Sequence, residues 1–210
     1  MKKPWLRVAR LAADLRRALW LAPRGCGKPV PLEAWEREYR TGAWDYLTGV
    51  GELARYMTIA GYAIHSSPPP DILDVGCGSG HLLRRLPAAG FRSYLGVDFS
   101  TEAIACAHRM QVPGAQFVQG DFEVWSPAQP VDVIIFNESL YNSRRPAELV
   151  ARYAGHLRAE GRIIVSMFKA SGDGFIWRQL NAMLQRVDGV EIVHDDGRRW
   201  QVALFARRPA

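Results

Sequence analysis

Residues Ile72-Leu73-Asp74-Val75-Gly76-Cys77-Gly78-Ser79-Gly80-His81-Leu82 hold the densest chemical signal in this chain. Ile72, Leu73 and Val75 are apolar strand formers. Gly76, Gly78 and Gly80 free the backbone to turn tightly and to approach a ligand where a Cβ would intrude. Ser79 or Gly80 is placed to open a helix over residues 79–88 with its N–H groups toward the bound molecule. A strand, a glycine turn and a helix start in direct succession read as a nucleotide-cofactor site. The dinucleotide fingerprint spaces its glycines as G-x-G-x-x-G, whereas here they recur at every second position.

Carboxylates follow at intervals that suit such a site. Asp98 closes the apolar run Tyr94-Leu95-Gly96-Val97 eighteen positions after Gly80, where it can accept hydrogen bonds from both hydroxyls of a ribose. Asp121 follows Gln116-Phe117-Val118-Gln119-Gly120. The run Val131-Asp132-Val133-Ile134-Ile135-Phe136 leads into Asn137-Glu138-Ser139-Leu140-Tyr141-Asn142. An aspartate closing a strand is also an ordinary turn or cap residue, so each acid has a local alternative.

With Asp74 two residues ahead of the first glycine, this ordered set resembles the class I S-adenosylmethionine (SAM) dependent methyltransferases over residues 70–208. The resemblance implies a cofactor site built on Asp74, Gly76, Gly78, Asp98, Phe99, Asp121, Phe122 and Asn137, with Asp98 at the ribose and Asp121 at the adenine amino group. Asp74 either meets the methionine end through water or holds the loop through backbone N–H groups. Upstream, Trp35-Glu36-Arg37-Glu38-Tyr39-Arg40-Thr41-Gly42-Ala43-Trp44 is similar to the W-x-x-x-Y segment of many small-molecule methyltransferases, including the nodulation N-methyltransferase group. It implies Tyr39 and Trp44 over the sulfonium, where an aromatic face stabilises a cation, and Arg40 on the SAM carboxylate.

Methyl transfer from a sulfonium is an in-line displacement, so the protein mainly aligns and desolvates. A neutral amine attacks once its proton is lost, whereas a hydroxyl needs a base or a metal. The crevice at the end of the fourth strand offers Glu138 and Tyr141 as catalytic candidates. The Asn/Asp-Pro-Pro-Tyr/Phe signature of amino-methyltransferases of DNA bases is absent, which lowers a nucleic-acid substrate. The Glu-Ser-Leu-Tyr run looks like a form found in enzymes of small metabolites and sugars. The expected acceptor is therefore an N or O atom of a small molecule or saccharide. An RNA methyltransferase and a SAM-binding partner subunit without activity are the alternatives. None of the five histidines forms a metal-binding pair, and no metal is expected.

These side chains need a frame. Strands are expected at 71–75, 93–98, 116–119, 131–136 and 161–168, with helices at 79–88, 100–109, 145–158 and 173–187 between or after them. Glu191–His194 and Trp200–Ala206 look like two late strands joined at Asp195-Asp196-Gly197. Alternation of this kind gives an α/β fold, a doubly wound, mostly parallel sheet with helices on both faces, behind an N-terminal helical cap; the resemblance implies seven strands with an antiparallel last strand. The division is residues 1–30, a basic amphipathic helix and linker; 31–69, the cap; and 70–210, the SAM-binding domain.

The overall charge of +6 is uneven. Residues 1–30 carry eight bases against one acid, while the remaining residues net −1, so the domain itself is not basic. Trp5, Val8, Ala12, Leu15, Leu19 and Ala22 recur at helical spacing opposite Lys3, Arg7, Arg10 and Arg17. Such a helix either packs on the domain or a second subunit, giving a homodimer, or makes a peripheral membrane contact through residues 3–22. No apolar run approaches the roughly 20 residues that span a bilayer. Three scattered cysteines suggest neither disulfides nor zinc and point to a cytoplasmic protein.

Overall fold

The computed structural model describes residues 27–66, 68–169 and 173–209. The basic segment read as an N-terminal helix, residues 3–22, lies outside them. Seven strands form one sheet: β1 (Asp71–Val75), β2 (Ser93–Asp98), β3 (Ala115–Gln119), β4 (Val131–Asn137), β5 (Leu157–Phe168), β6 (Leu184–Val193) and β7 (Arg199–Arg207). Their order is β3-β2-β1-β4-β5-β7-β6. Pairings from β3 through β5 are parallel, and β7 runs against both β5 and β6. The chain thus winds outward from β1 in both directions, and the reversal between β1 and β4 opens a crevice at their carboxyl ends.

Helices cover both faces because the central strands are apolar on both sides. Leu73, Val75, Ile134, Phe136 and Val165 pack with α4 (Pro146–Ala154) and α5 (Asp173–Met183) through Leu149, Val150, Tyr153, Ile176, Trp177 and Leu180. Ile72, Tyr94, Val133, Ile135 and Ile164 face the opposite layer, formed by α2 (Val50–Ile64) and α3 (Thr101–His108). Ser100 caps α3, its Oγ accepting from the Ala103 N–H at 3.1 Å. Pro146 starts α4, where its missing N–H costs nothing.

Three expectations are corrected. Residues 79–88 form turns and a short 3-10 turn at Leu83–Arg85 rather than an α-helix, since Gly80 at φ +75° and Pro87 leave no room for one. The helix expected over 173–187 ends at Met183, and Leu184 starts β6, which pairs with β7 along its length around a bulge at Arg186/Asp188. The segment 31–69 is not one cap. Gly49 divides it: α1 (Leu32–Arg40) and a 3-10 turn (Asp45–Thr48) lie over the crevice, whereas α2 packs on the sheet through Tyr56, Ile59, Ala60 and Ala63. Among the described residues no helix is long and apolar enough to cross a membrane.

Candidate active site

The carboxyl ends of β1, β2 and β4 and the turn after β3 open into a cavity of about 660 Å³. At its floor runs the glycine loop. Gly76 and Gly78 adopt φ of +76° and +55°. A Cβ on Gly76 would overlap Ser139, whose Oγ in turn donates to the Val75 carbonyl at 2.5 Å. The loop therefore lies directly against the end of β4, with Asn137 and Glu138 beside it.

The backbone amides of the loop are already used. The Gly76 and Cys77 N–H groups donate to the Val97 carbonyl at 2.8 and 3.0 Å, Gly78 N–H to Asp98 Oδ2 at 2.9 Å, and Gly80 N–H to the Cys77 carbonyl at 3.1 Å. This differs from the anion-binding helix N-terminus expected from the sequence. A pyrophosphate would find no cradle among these four amides, whereas a cofactor without phosphate needs none. The same bonds fasten Asp98. Its Oδ1 accepts the Ser100 N–H at 3.0 Å, and Asp98 lines the cavity with further acceptor capacity on each carboxylate oxygen. Burial pushes the Asp98 carboxyl up to about 6, against the backbone donors that favour its charge.

Phe99, Asp121 and Phe122 line the same side of the cavity, with Asp121 Oδ1 turned onto the Glu123 N–H at 2.9 Å. Tyr39 and Trp44 cover it from α1 and the following turn. The Trp35 and Trp44 rings stack at 5.2 Å, Trp35 and Tyr39 at 6.2 Å, and the Tyr39 hydroxyl presses on Gly78. Glu36 docks this aromatic lid, its carboxylate accepting the first N–H groups of α3 at Thr101 (2.6 Å) and Glu102 (3.2 Å).

Of the thirteen site residues expected from sequence, two lie away from the cavity. Arg40 is exposed and pairs with Glu102 at 3.1 Å, so it fastens α1 to α3. Asp74 is buried beneath the loop, accepting the Tyr94 O–H at 2.5 Å, with its second oxygen unpartnered. Burial pushes its carboxyl up to about 7, and the charge of Asp98 adds to the effect.

Among the charged groups at the cavity that were not foreseen, Arg55, Glu52 and Arg198 form a linked set. Arg55, 2% exposed, donates to Glu52 Oε2 from Nε (3.3 Å) and Nη2 (3.0 Å), and from Nη1 to Asn137 Oδ1. Arg198, from the β6–β7 turn, donates to the other oxygen of Glu52 at 2.9 Å. A signal existed: Glu52 and Arg55 are opposite charges three residues apart in an otherwise apolar helix, where neither is stable unpaired.

Glu138 stands at the mouth of β4 with φ +58°, a conformation side-chain-bearing residues rarely hold. Three donors fix its carboxylate: Ser166 O–H to Oε1 at 2.7 Å, and Phe168 N–H (2.9 Å) and Tyr141 O–H (3.3 Å) to Oε2. Burial raises its pKa, opposed by the Arg55 charge. The Tyr141 phenol is raised by burial and by Glu138, and stays protonated. The site can therefore present one strained, half-buried carboxylate of heightened basicity to a ligand resting on the glycine loop.

Comparison with known proteins gives the same frame. A family described as "Methyltransferase domain" matches residues 52–208. Trans-aconitate 2-methyltransferase of Azoarcus sp. (strain BH72) is 34% identical over 100 residues, covering 46% of this chain and 38% of that protein. The Acidovorax sp. (strain JS42) enzyme of the same name is 36% identical over 103 residues, 47% of this chain and 38% of the relative, so the match spans less than half of these relatives. Among solved structures, N-methyltransferase NodS from Bradyrhizobium japonicum WM9, in complex with S-adenosyl-L-homocysteine (SAH), superposes with a TM-score of 0.74 at 18% identity, covering 85% of this chain and 98% of that one. The plantazolicin methyltransferase BpumL, bound to a desmethylPZN analog and SAH, gives 0.58 at 17%, covering 84% and 90%. A doubly wound sheet, a glycine loop without a phosphate cradle and a family match over residues 52–208 place this chain in the methyltransferase domain family, with the class I fold.

Proposed function

We propose that this chain moves the methyl group of SAM to a nitrogen or hydroxyl oxygen of a small molecule, with Glu138 receiving the acceptor's proton. When bound, SAM supplies a methyl carbon on a positively charged sulfur, already activated for displacement. Asp98 accepts hydrogen bonds from the ribose, Asp121 and Phe122 meet the adenine, and Asn137 with the Gly76–Gly78 backbone borders the methionine end. Tyr39 and Trp44 exclude water and offer aromatic faces to the sulfonium.

The observation that carries the reading is the strained carboxylate at the end of β4. A left-handed backbone and three donors hold it against the loop, where a nucleophile must approach. Tyr141 orients it, and the charge of Arg55, already bonded to Glu52 and Asn137, opposes the rise in its pKa that burial causes. The relatives named for trans-aconitate act on a carboxylate. Here an acceptor attacking through a carboxylate would meet Glu138 as a like charge, which favours an amine or hydroxyl instead. Saccharide hydroxyls fall in the same class.

The test is Glu138→Gln, screened with methyl-labelled SAM against amines, hydroxyl compounds and carboxylates. Transfer to amines or hydroxyls should fall by about 10²-fold or more, with SAM affinity unchanged. Unaltered transfer, or turnover of carboxylates alone, would remove the base from the mechanism.

A further inference from the structure

We propose that the acceptor carries an acidic group besides the atom that is methylated, and that Lys28 and Arg144 receive it. This rests on the cavity being the acceptor site, but not on the role of Glu138. Both cations line the cavity, and both are exposed at its mouth. They come from distant parts of the sequence and are brought together by the backbone. The Lys28 N–H donates to the Tyr141 carbonyl at 2.7 Å and the Gly27 N–H to the Arg144 carbonyl at 3.3 Å. A Cβ at residue 27 would run into the carbonyls of Ser143 and Tyr141, so only glycine allows this approach. The segment before α1 is thereby sewn onto the loop that carries Glu138 and Tyr141.

The charges deeper in the cavity are already matched. Arg55 is bonded to Glu52 and Asn137, and Arg198 to Glu52 and Asp196. Lys28 and Arg144 differ: among the described residues no carboxylate lies within 4.0 Å of either side-chain charge. Glu123, the acid beside them, has Oε1 on the Arg144 backbone N–H at 2.6 Å, fixing the loop rather than pairing with a cation. Two unmatched cations and a half-buried carboxylate lining one cavity describe a ligand that carries groups of opposite polarity. A carboxylate and a phosphate monoester both meet that description, and both pair with an arginine in fork geometry.

The full chain saturated with SAH is titrated by calorimetry with 5-aminopentanoate, pentylamine, pentanoate, 2-aminoethyl phosphate and ethanolamine, as wild type, Lys28→Ala/Arg144→Ala and Arg144→Lys. Each acid-bearing ligand should bind about tenfold or more tighter than its acid-free partner. That advantage should vanish in the double variant and largely return with lysine at 144, while SAH affinity stays constant. The two series separate a carboxylate from a phosphate specialist. Equal binding with and without the acid, an advantage that survives in the double variant, or no saturable binding by any acid overturns the proposal. If pentanoate binds through Lys28 and Arg144 while the amine adds nothing and Glu138→Gln has no effect, the acidic subsite stands and the Glu138 reading falls.

Discussion

Replacing Asp74 by asparagine should stabilise the protein at neutral and alkaline pH and destabilise it slightly in acid. Asp74 is 1% exposed, and its pKa rises from the ordinary 3.8 to about 7, chiefly through burial. A rise of roughly 3 units corresponds to about 4 kcal/mol of preference for the neutral form. Because the folded-state value lies above the unfolded one, this contribution is fully present below the unfolded pKa and is lost as pH climbs through the folded pKa. Asparagine keeps an oxygen for the Tyr94 O–H and places its amide where Asp74 Oδ1 has no partner. Protonated aspartate leaves one polar hydrogen unmatched there and asparagine two, so near the unfolded pKa the variant should be the less stable by about 1 kcal/mol. From there the balance should move toward the variant by about 1.4 kcal/mol per pH unit and level off at about 3 kcal/mol in its favour above about pH 7. Urea denaturation of both proteins at half-unit steps from about pH 5 to about pH 8 measures the difference directly. A difference that stays flat with pH, or a wild type more stable at the alkaline end, would refute the assignment of a neutral Asp74.

Removing Arg55 as Arg55→Ala should cost about 3–5 kcal/mol, because Asn137 and one side of Glu52 are left unmatched in a dry setting. Denaturant titration of Glu52→Leu/Arg55→Met should recover most of that loss, since Arg198 retains Asp196; a double variant as unstable as the single would contradict it. Gly76→Ala should destabilise by about 2 kcal/mol or more and weaken SAH binding, as both φ and the Ser139 contact oppose a methyl group; a calorimetric affinity equal to wild type would show that the loop has slack.

The sheet was legible because its strands are short apolar runs closed by acids and glycines, and that pattern is local. The first seven residues of β6 were not, because Leu184–Val190 has no apolar alternation and is held as a strand by the pairing of Gln185, Arg186 and Asp188 with β7. The glycine loop was legible as a close-approach loop, yet its amides turn inward because the Val97 carbonyl and Asp98 reach them from β2, a partnership no spacing rule encodes. Arg40 misses the cavity and Arg55 was not foreseen for a similar reason: Arg40 pairs with Glu102 on α3, while Arg55 is buried between Glu52 and Asn137 where α2 packs on the sheet. Glu138 was visible as a residue type at the right strand end, but its left-handed backbone and three donors arise only once β4 and β5 are paired.

Ion pairs at the opposite end of the sheet give the molecule a polarity. At the amino ends of β1 and β4, Asp71 and Asp132 share Arg158 at 2.8 and 2.7 Å and also both contact Arg92, and Ser93 bonds Asp71 at 2.7 Å. These links stitch β1, β2, β4 and β5 into one clamp, and they hold the Asp71 carboxyl well below its usual range, first through Arg92. The carboxyl ends of the same strands hold instead the neutral-leaning Asp74, the strained Glu138 and a positive-φ loop. Strain and disfavoured charge thus gather at the end of the sheet that opens into the cavity, and matched charge at the end away from it.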